Sequence, residues 1–172
     1  KGELHRGKRF HLLIGVFSAR MYIKQANERT QTLLEKWAEP ASALAWMHGG
    51  SYENQILWEA WKLLLKNHPH DSICGCSVDQ THREMMPRFD QAQQIGEVLT
   101  CESLQYLSNK INTNRAEAPE GTMAAVAFNP HAWNASETVR VHLEQPIKRR
   151  EEAPNYIVRD ASGDVVPAQL AD

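Results

Sequence analysis

The chain has 172 residues and a formal net charge of −2, and 42% of its residues are hydrophobic and 23% charged. This composition is typical of a soluble globular protein that can bury a core as one domain or as two small ones. The near-neutral charge offers no basic surface to nucleic acid, and no apolar run approaches the roughly 20 residues that span a bilayer. The 3 cysteines, two of them separated by a single residue, argue against a disulfide framework and favour a cytoplasmic protein.

The first segment, residues 1–17, shows no clean helical period, and we interpret it as a tail. The chain lacks an initiator methionine, and it ends just after a strand-like run. We therefore expect it to be a piece of a longer protein.

Residues 18–112 carry helical patterns and are expected to form one helical domain. Ser18 is a good N-cap candidate for the first helix, and Pro40 is expected to interrupt that helix before a shorter piece that ends at Gly49 and Gly50. Its apolar stripe comprises Ile23, Ala26, Thr30, Leu33, Leu34 and Trp37.

A second helical pattern covers residues 52–66 and stops at Pro69. Its stripe comprises Ile56, Leu57, Ala60, Trp61, Leu64 and Leu65. A third pattern runs from about residue 78 to residue 112, and Pro87 is expected to kink it or to mark its true start. Its seam comprises Met85, Phe89, Ala92, Gly96, Leu99, Ser103 and Tyr106. Three amphipathic helices with short connections predict a three-helix bundle.

The composition changes after residue 112. Residues 113–121 have the Asn, Pro and Gly content of a linker, and residues 122–172 contain four short strand-like runs. These runs are residues 123–128, 138–143, 156–159 and 165–169. Four short strands cannot easily close a sandwich, so the predicted fold class is α+β: a three-helix bundle followed by a partial, truncated antiparallel β-sandwich.

The chemistry of the chain is concentrated in residues 67–79, Asn-His-Pro-His-Asp-Ser-Ile-Cys-Gly-Cys-Ser-Val-Asp. This stretch brings together side chains that bind metals or transfer protons: His68, His70, Asp71, Cys74 and Cys76. A polar, reactive segment between two helices is unlike ordinary core packing.

This stretch resembles the bacterial α-mannosidases of glycoside hydrolase family 38. The resemblance rests on segments shared in order, which are residues 2–4, 18–27, 34–40, 67–77, 79–80 and 83–85. It covers most of residues 1–89 and continues weakly to the Phe-Asn-Pro of residues 128–130.

The resemblance implies an N-terminal α/β barrel, a three-helix middle domain and a large C-terminal β region, with the active site between barrel and middle domain. Residues 1–17 would then continue from the missing barrel. Zinc would be held by barrel residues and by His70, and Asp71 would hydrogen-bond hydroxyls of the mannose. A retaining enzyme also needs a nucleophile and an acid/base carboxyl group, which in this family belong to the barrel, so no catalytic residue is assigned here. The fragment alone is expected to be inactive.

Two alternatives of a different class stay open. One is a helical carbohydrate-binding or interaction module without catalysis. The other is a self-contained zinc domain in which His68, His70, Cys74 and Cys76 hold the metal, although their spacing is compressed for a zinc finger.

Other residues near the site are expected to be structural. Cys74 and Cys76 are interpreted as small buried thiols beneath the site, and Arg20 as a partner of a carboxylate or carbonyl. The residues Trp37, Trp46, Trp58 and Trp61 are expected to pack in the core or between domains. The expected partners are a mannoside substrate and the missing domains. Exposed apolar surface and unpaired strand edges also favour self-association of the fragment.

Overall fold

A computed structural model describes residues 2–3, 5–9, 11–113, 122–142 and 156–169. The chain divides into two compact units, residues 1–135 and residues 136–172. Within the described ranges, no helix combines the length and the apolar character needed to cross a bilayer.

The first unit begins with a helical segment that continues past the proline expected to interrupt it. Helix α1 (Met21–Leu33) runs into a π-helical turn (Leu34–Ala38) and then into helix α2 (Glu39–Met47). Glu39 keeps helical angles, φ −66° and ψ −48°, so the predicted break before Pro40 is wrong. The wider π-helical turn alters the hydrogen-bond ladder just where the proline ring would collide with the preceding turn.

The start of α1 also differs from its prediction, because Ser18 does not cap it. Arg20 occupies the N-cap position in a left-handed conformation, with φ 48° and ψ 55°. The Ser18 hydroxyl instead donates to Glu3 Oε2 at 2.9 Å, and the Gly15 N–H donates to Glu3 Oε1 at 2.7 Å. A carboxylate that accepts two hydrogen bonds thus ties the predicted tail to the residues that lead into α1.

The remaining helices of the first unit are α3 (Asn54–Leu65), the single-turn α4 (His70–Ile73) and α5 (Asp79–Ser108). Helix α5 packs against α1, α2 and α3. It runs through Pro87 without ending, and it stops four residues before the predicted limit.

The core lies along α5 and follows the predicted seam. The buried side chains on this helix include Met85, Phe89, Ala92, Gly96, Leu99 and Ser103, while Tyr106 is half-buried. They meet Ile23, Ala26 and Leu34 from the first helical segment and Leu57, Ala60 and Leu64 from α3.

The α3 stripe is narrower than predicted. Ile56 and Leu65 are about half-exposed, because they flank the face formed by Leu57, Ala60 and Leu64. Trp46 and Trp58 are also mostly exposed, so they are not core residues within this chain. These side chains leave apolar surface on the outside of the helical unit.

The second unit contains a small antiparallel hairpin of β1 (Val158–Arg159) and β2 (Val165–Val166), in which Val158 faces Val166. The Asp160 carboxylate closes its turn by accepting the N–H groups of residues 162, 163 and 164 at 2.8–3.0 Å. This confirms the coarse α+β prediction and the turn between the last two strand-like runs.

The two earlier strand-like runs form no strand among the residues that the structure describes. Residues 123–128 and 138–142 have no strand pairing in the described part of the chain, and Val139 and Val141 are exposed. A strand needs a partner edge, and β propensity alone does not supply one. Residue 143 and most of the predicted linker, residues 114–121, lie outside the described residues.

Candidate active site

The turn between α3 and α5, residues 67–79, contains the predicted site residues; we call it the site turn. Asn67 opens it and is fully buried. Its side-chain amide donates to the Met85 carbonyl at 3.0 Å, and its Oδ1 accepts from Arg88 Nη1 at 3.2 Å. These two hydrogen bonds fix the beginning of the turn to α5.

Backbone hydrogen bonds fold the middle of the site turn. Pro69 is extended, with φ −46° and ψ 136°, and its carbonyl accepts the N–H groups of Ser72 at 2.8 Å and Ile73 at 3.0 Å. The Asp71 carbonyl accepts the N–H groups of residues 76 and 77, both at 3.2 Å. Gly75 closes the turn with φ 84°, a conformation that favours glycine.

Helix α1 and the residue before it hold the closing end of the site turn. Arg20 donates from Nε to the Gly75 carbonyl at 3.1 Å and pairs through Nη2 with Asp79 Oδ1 at 2.5 Å. Lys24 Nζ donates to the Cys74 carbonyl at 3.0 Å. The Arg20 guanidinium lowers the pKa of Asp79, and this hydrogen bond raises the pKa of Arg20. The predicted structural role of Arg20 is thereby confirmed.

His70 and Asp71 lie side by side on the outer surface of this fixed turn. Their side chains are 91% and 63% exposed, and His70 Nε2 is 3.3 Å from Asp71 Oδ1. Both begin the single-turn α4 directly after Pro69. The arrangement presents an imidazole and a carboxylate, as neighbours, to whatever faces this surface.

Cys76 also contacts the Asp71 carboxylate, at the same oxygen as His70. Its Sγ lies 3.4 Å from Asp71 Oδ1, and this hydrogen bond raises the pKa of the thiol. A protonated thiol can act as a weak donor to the carboxylate. Cys76 is exposed and Cys74 is half-buried, so the prediction of two buried thiols is wrong for Cys76. The tight turn at Gly75 places Cys76 outside, beside Asp71.

His68 contacts α1. Its Nε2 lies 2.6 Å from Asn27 Oδ1, and burial lowers its pKa. Across the described ranges, no group of three or more His, Cys, Asp or Glu side chains is arranged to hold a metal ion. The geometry therefore gives no support to a local zinc site built from His68, His70, Cys74 and Cys76.

His82 lies beneath the site turn and was not singled out from the sequence. It is only 1% exposed, and neither ring nitrogen has a hydrogen-bond partner in the described part of the structure. Its pKa is lowered by burial and by the nearby charge of Arg20, an effect that Asp79 and the backbone of Asp71 and Ser72 oppose. Its position one turn before Met85 on the buried α5 face was the signal that could have identified it.

A separate cavity of about 320 Å³ lies along α3, and no residue of the site turn lines it. Its lining residues are Glu39, Tyr52, Asn54, Leu57, Trp58, Trp61 and Leu65. Burial is the main cause of a raised pKa for Tyr52. The cavity is thus distinct from the His70 and Asp71 surface.

Comparison with known proteins places this helical unit in a family. Residues 11–107, more than half of the chain, match the model of the α-mannosidase middle domain. A protein of Halalkalibacterium halodurans named "Putative mannosylglycerate hydrolase" is 42% identical over 114 residues, which are 65% of this chain and 12% of that protein.

Solved structures agree with that match. A glycosyl hydrolase family 38 protein from Enterococcus faecalis is 48% identical, with a TM-score of 0.56 over 58% of this chain and 12% of that one. An α-mannosidase from Enterococcus faecalis V583 gives the same identity and TM-score and is covered over 11% of its length. The chain therefore spans about an eighth of the relatives it matches. It belongs to the α-mannosidase middle-domain family of bacterial glycoside hydrolase family 38.

Proposed function

We propose that this chain contributes one zinc ligand, His70, and one sugar contact, Asp71, to the active site of a retaining α-mannosidase. The observation that carries the proposal is the exposed His70 and Asp71 pair, held 3.3 Å apart on a turn that is anchored to both α1 and α5. A catalytic constellation depends on this kind of rigid support.

The chemistry of His70 fits a zinc ligand. Imidazole nitrogen is a common zinc donor, and this side chain is 91% exposed, so it is free to face a metal held mainly by another domain. One histidine does not complete a zinc site, and the remaining ligands in the proposal come from the N-terminal barrel. When bound there, zinc would supply Lewis-acid stabilisation and orient the sugar hydroxyls.

Asp71 fits a contact to the sugar. Its carboxylate can accept hydrogen bonds from hydroxyl groups, and Cys76 and His70 limit its orientation through their contacts with Oδ1. In the proposal, both reacting carboxyl groups belong to the barrel, so this chain alone is inactive.

The proposal extends to the whole protein. It would be a cytoplasmic enzyme with an α/β barrel, a three-helix middle domain and a large C-terminal β region. The relatives are named as an α-mannosidase and as a putative mannosylglycerate hydrolase, and both names refer to hydrolysis of a mannosyl compound. We therefore propose α-mannosides as the substrates.

The test uses the longer protein that contains this chain. His70→Ala should lose bound zinc and hydrolysis of an aryl α-mannoside together, whereas Asp71→Asn should keep zinc and lose activity. His48→Ala is the matched control, because His48 is an exposed histidine of the same helical unit that lies outside the site turn. Retention of both zinc and activity by His70→Ala would overturn the proposed role.

A further inference from the structure

The buried ring of His82 lacks an explanation in core packing alone. It is 1% exposed, and both ring nitrogens are without a hydrogen-bond partner among the described residues. Native proteins rarely bury polar groups unpaired, and an exception indicates strain, function or a missing partner. The neighbouring core positions Met85 and Phe89 are apolar, so an apolar residue would have filled this volume without an unpaired group.

The location of the ring suggests the missing partner. His82 is on the first turns of α5, and α5 packs against α4, the one-turn helix that contains Asp71 and Ser72. The backbone of these two residues raises the pKa of the ring, against the larger effect of burial. The Asp71 carbonyl already accepts two N–H groups, from residues 76 and 77. The Ser72 carbonyl accepts only the Gly75 N–H, at 3.1 Å, among the described backbone groups. A carbonyl oxygen has two lone pairs, so Ser72 retains room for a second donor.

We propose that His82 is a positioning residue whose neutral ring donates to the Ser72 carbonyl and thereby fixes the peptide unit between Ser72 and Ile73, directly beyond Asp71. Arg20 and Asp79 flank the ring as charged groups, and they tie the other end of the same turn. The inference rests on the proposed function for its catalytic consequence, since what His82 positions is the Asp71 carboxylate against the sugar.

Substitutions of His82 in the longer protein distinguish the loss of the hydrogen-bond donor from a change in core packing. His82→Leu fills the site without a donor, and His82→Gln restores a donor. We expect the Leu variant to retain zinc but to lose about tenfold or more in kcat, with KM less affected, and the Gln variant to recover most of that loss. Wild-type kcat in the Leu variant, or an equal loss in both variants when each melts at the wild-type temperature, would overturn the inference.

A second measurement does not depend on the variants or on catalysis. In the wild-type protein with histidine-selective nitrogen-15 labelling, His82 should show a neutral ring with one N–H protected from solvent exchange and hydrogen-bonded to a carbonyl. A ring without a hydrogen-bonded N–H would overturn the inference, even if the Leu variant fails to fold. If the wild-type protein hydrolysed no α-mannoside, the proposed function would be overturned instead. The nitrogen-15 signal of the His82 ring would still show whether the ring donates to the Ser72 carbonyl.

Discussion

At the scale of single residues, the Asp71 carboxylate has a defined environment although it is exposed. His70 Nε2 is 3.3 Å from Oδ1 and Cys76 Sγ is 3.4 Å from the same atom, so both neighbours act on one oxygen. In the proposed site the other oxygen is then available to sugar hydroxyls. The thiol is a weak donor, and its contact orients the carboxylate more than it stabilises the fold.

Gly75 is the residue of the site turn with the least freedom to change. Its φ is 84°, and an added Cβ would lie 3.2 Å from the Ala19 carbonyl oxygen and 3.3 Å from Arg20 Cβ. We expect Gly75→Ala to lower the free energy of unfolding by roughly 1–3 kcal/mol, from backbone strain together with crowding. Urea denaturation of the two proteins measures the difference.

Gly15→Ala is the control, because Gly15 has φ 89° but no atom within 4 Å of the added Cβ. Gly15→Ala introduces the same backbone strain but no steric crowding, so it should lower the free energy of unfolding by less than Gly75→Ala does. Equal losses at the two positions would show that the approach of Arg20 to the turn does not matter.

At the scale of elements, Asn67 joins the end of α3 to the middle of α5. Its buried amide is bonded to the Met85 carbonyl and to the Arg88 side chain. Asn67→Ala removes both hydrogen bonds in a fully buried place, so we expect a loss of about 1–3 kcal/mol in the free energy of unfolding. Asn54→Ala, at the exposed start of α3, should change it little. Thermal or urea unfolding that does not distinguish the two variants would contradict this account.

An element can be predicted from the sequence to the extent that its apolar residues repeat with a regular spacing. The α5 seam is predictable residue by residue because thirty residues repeat one spacing. The predicted break at Pro40 is wrong because a π-helical turn has no reliable signal in the sequence. Residues 123–128 form no strand within the described part of the chain, because strands depend on partners. His70 and Asp71 are predicted from a family resemblance, and their roles stay predictions. The burial of His82 and the outward position of Cys76 depend on how the turn folds over α5.

At the scale of the whole molecule, acid should destabilise the helical unit through His82. Burial and Arg20 lower its pKa, so the folded state favours the neutral ring. In the unfolded chain the imidazole of His82 takes up a proton near the ordinary histidine pKa of about 6.5. The contribution of the neutral ring to the free energy of unfolding is therefore fully present above that pH and declines as the pH falls below it. His82→Gln should flatten the decline between about pH 7 and pH 5, and His48→Gln, an exposed control, should not. Urea midpoints across this range measure both, and an unchanged slope in His82→Gln would contradict the assignment.

The central claim is that this chain provides part of a metal and sugar site and not a complete one. The most direct test is the zinc content and zinc affinity of the purified chain at neutral pH, measured by calorimetry and by metal analysis after dialysis. We expect weak or absent binding, since His70 is the single ligand that the chain contributes in this account. Tight binding of one zinc per chain, lost in a Cys74→Ser and Cys76→Ser double variant, would contradict it and would assign the metal to the site turn itself.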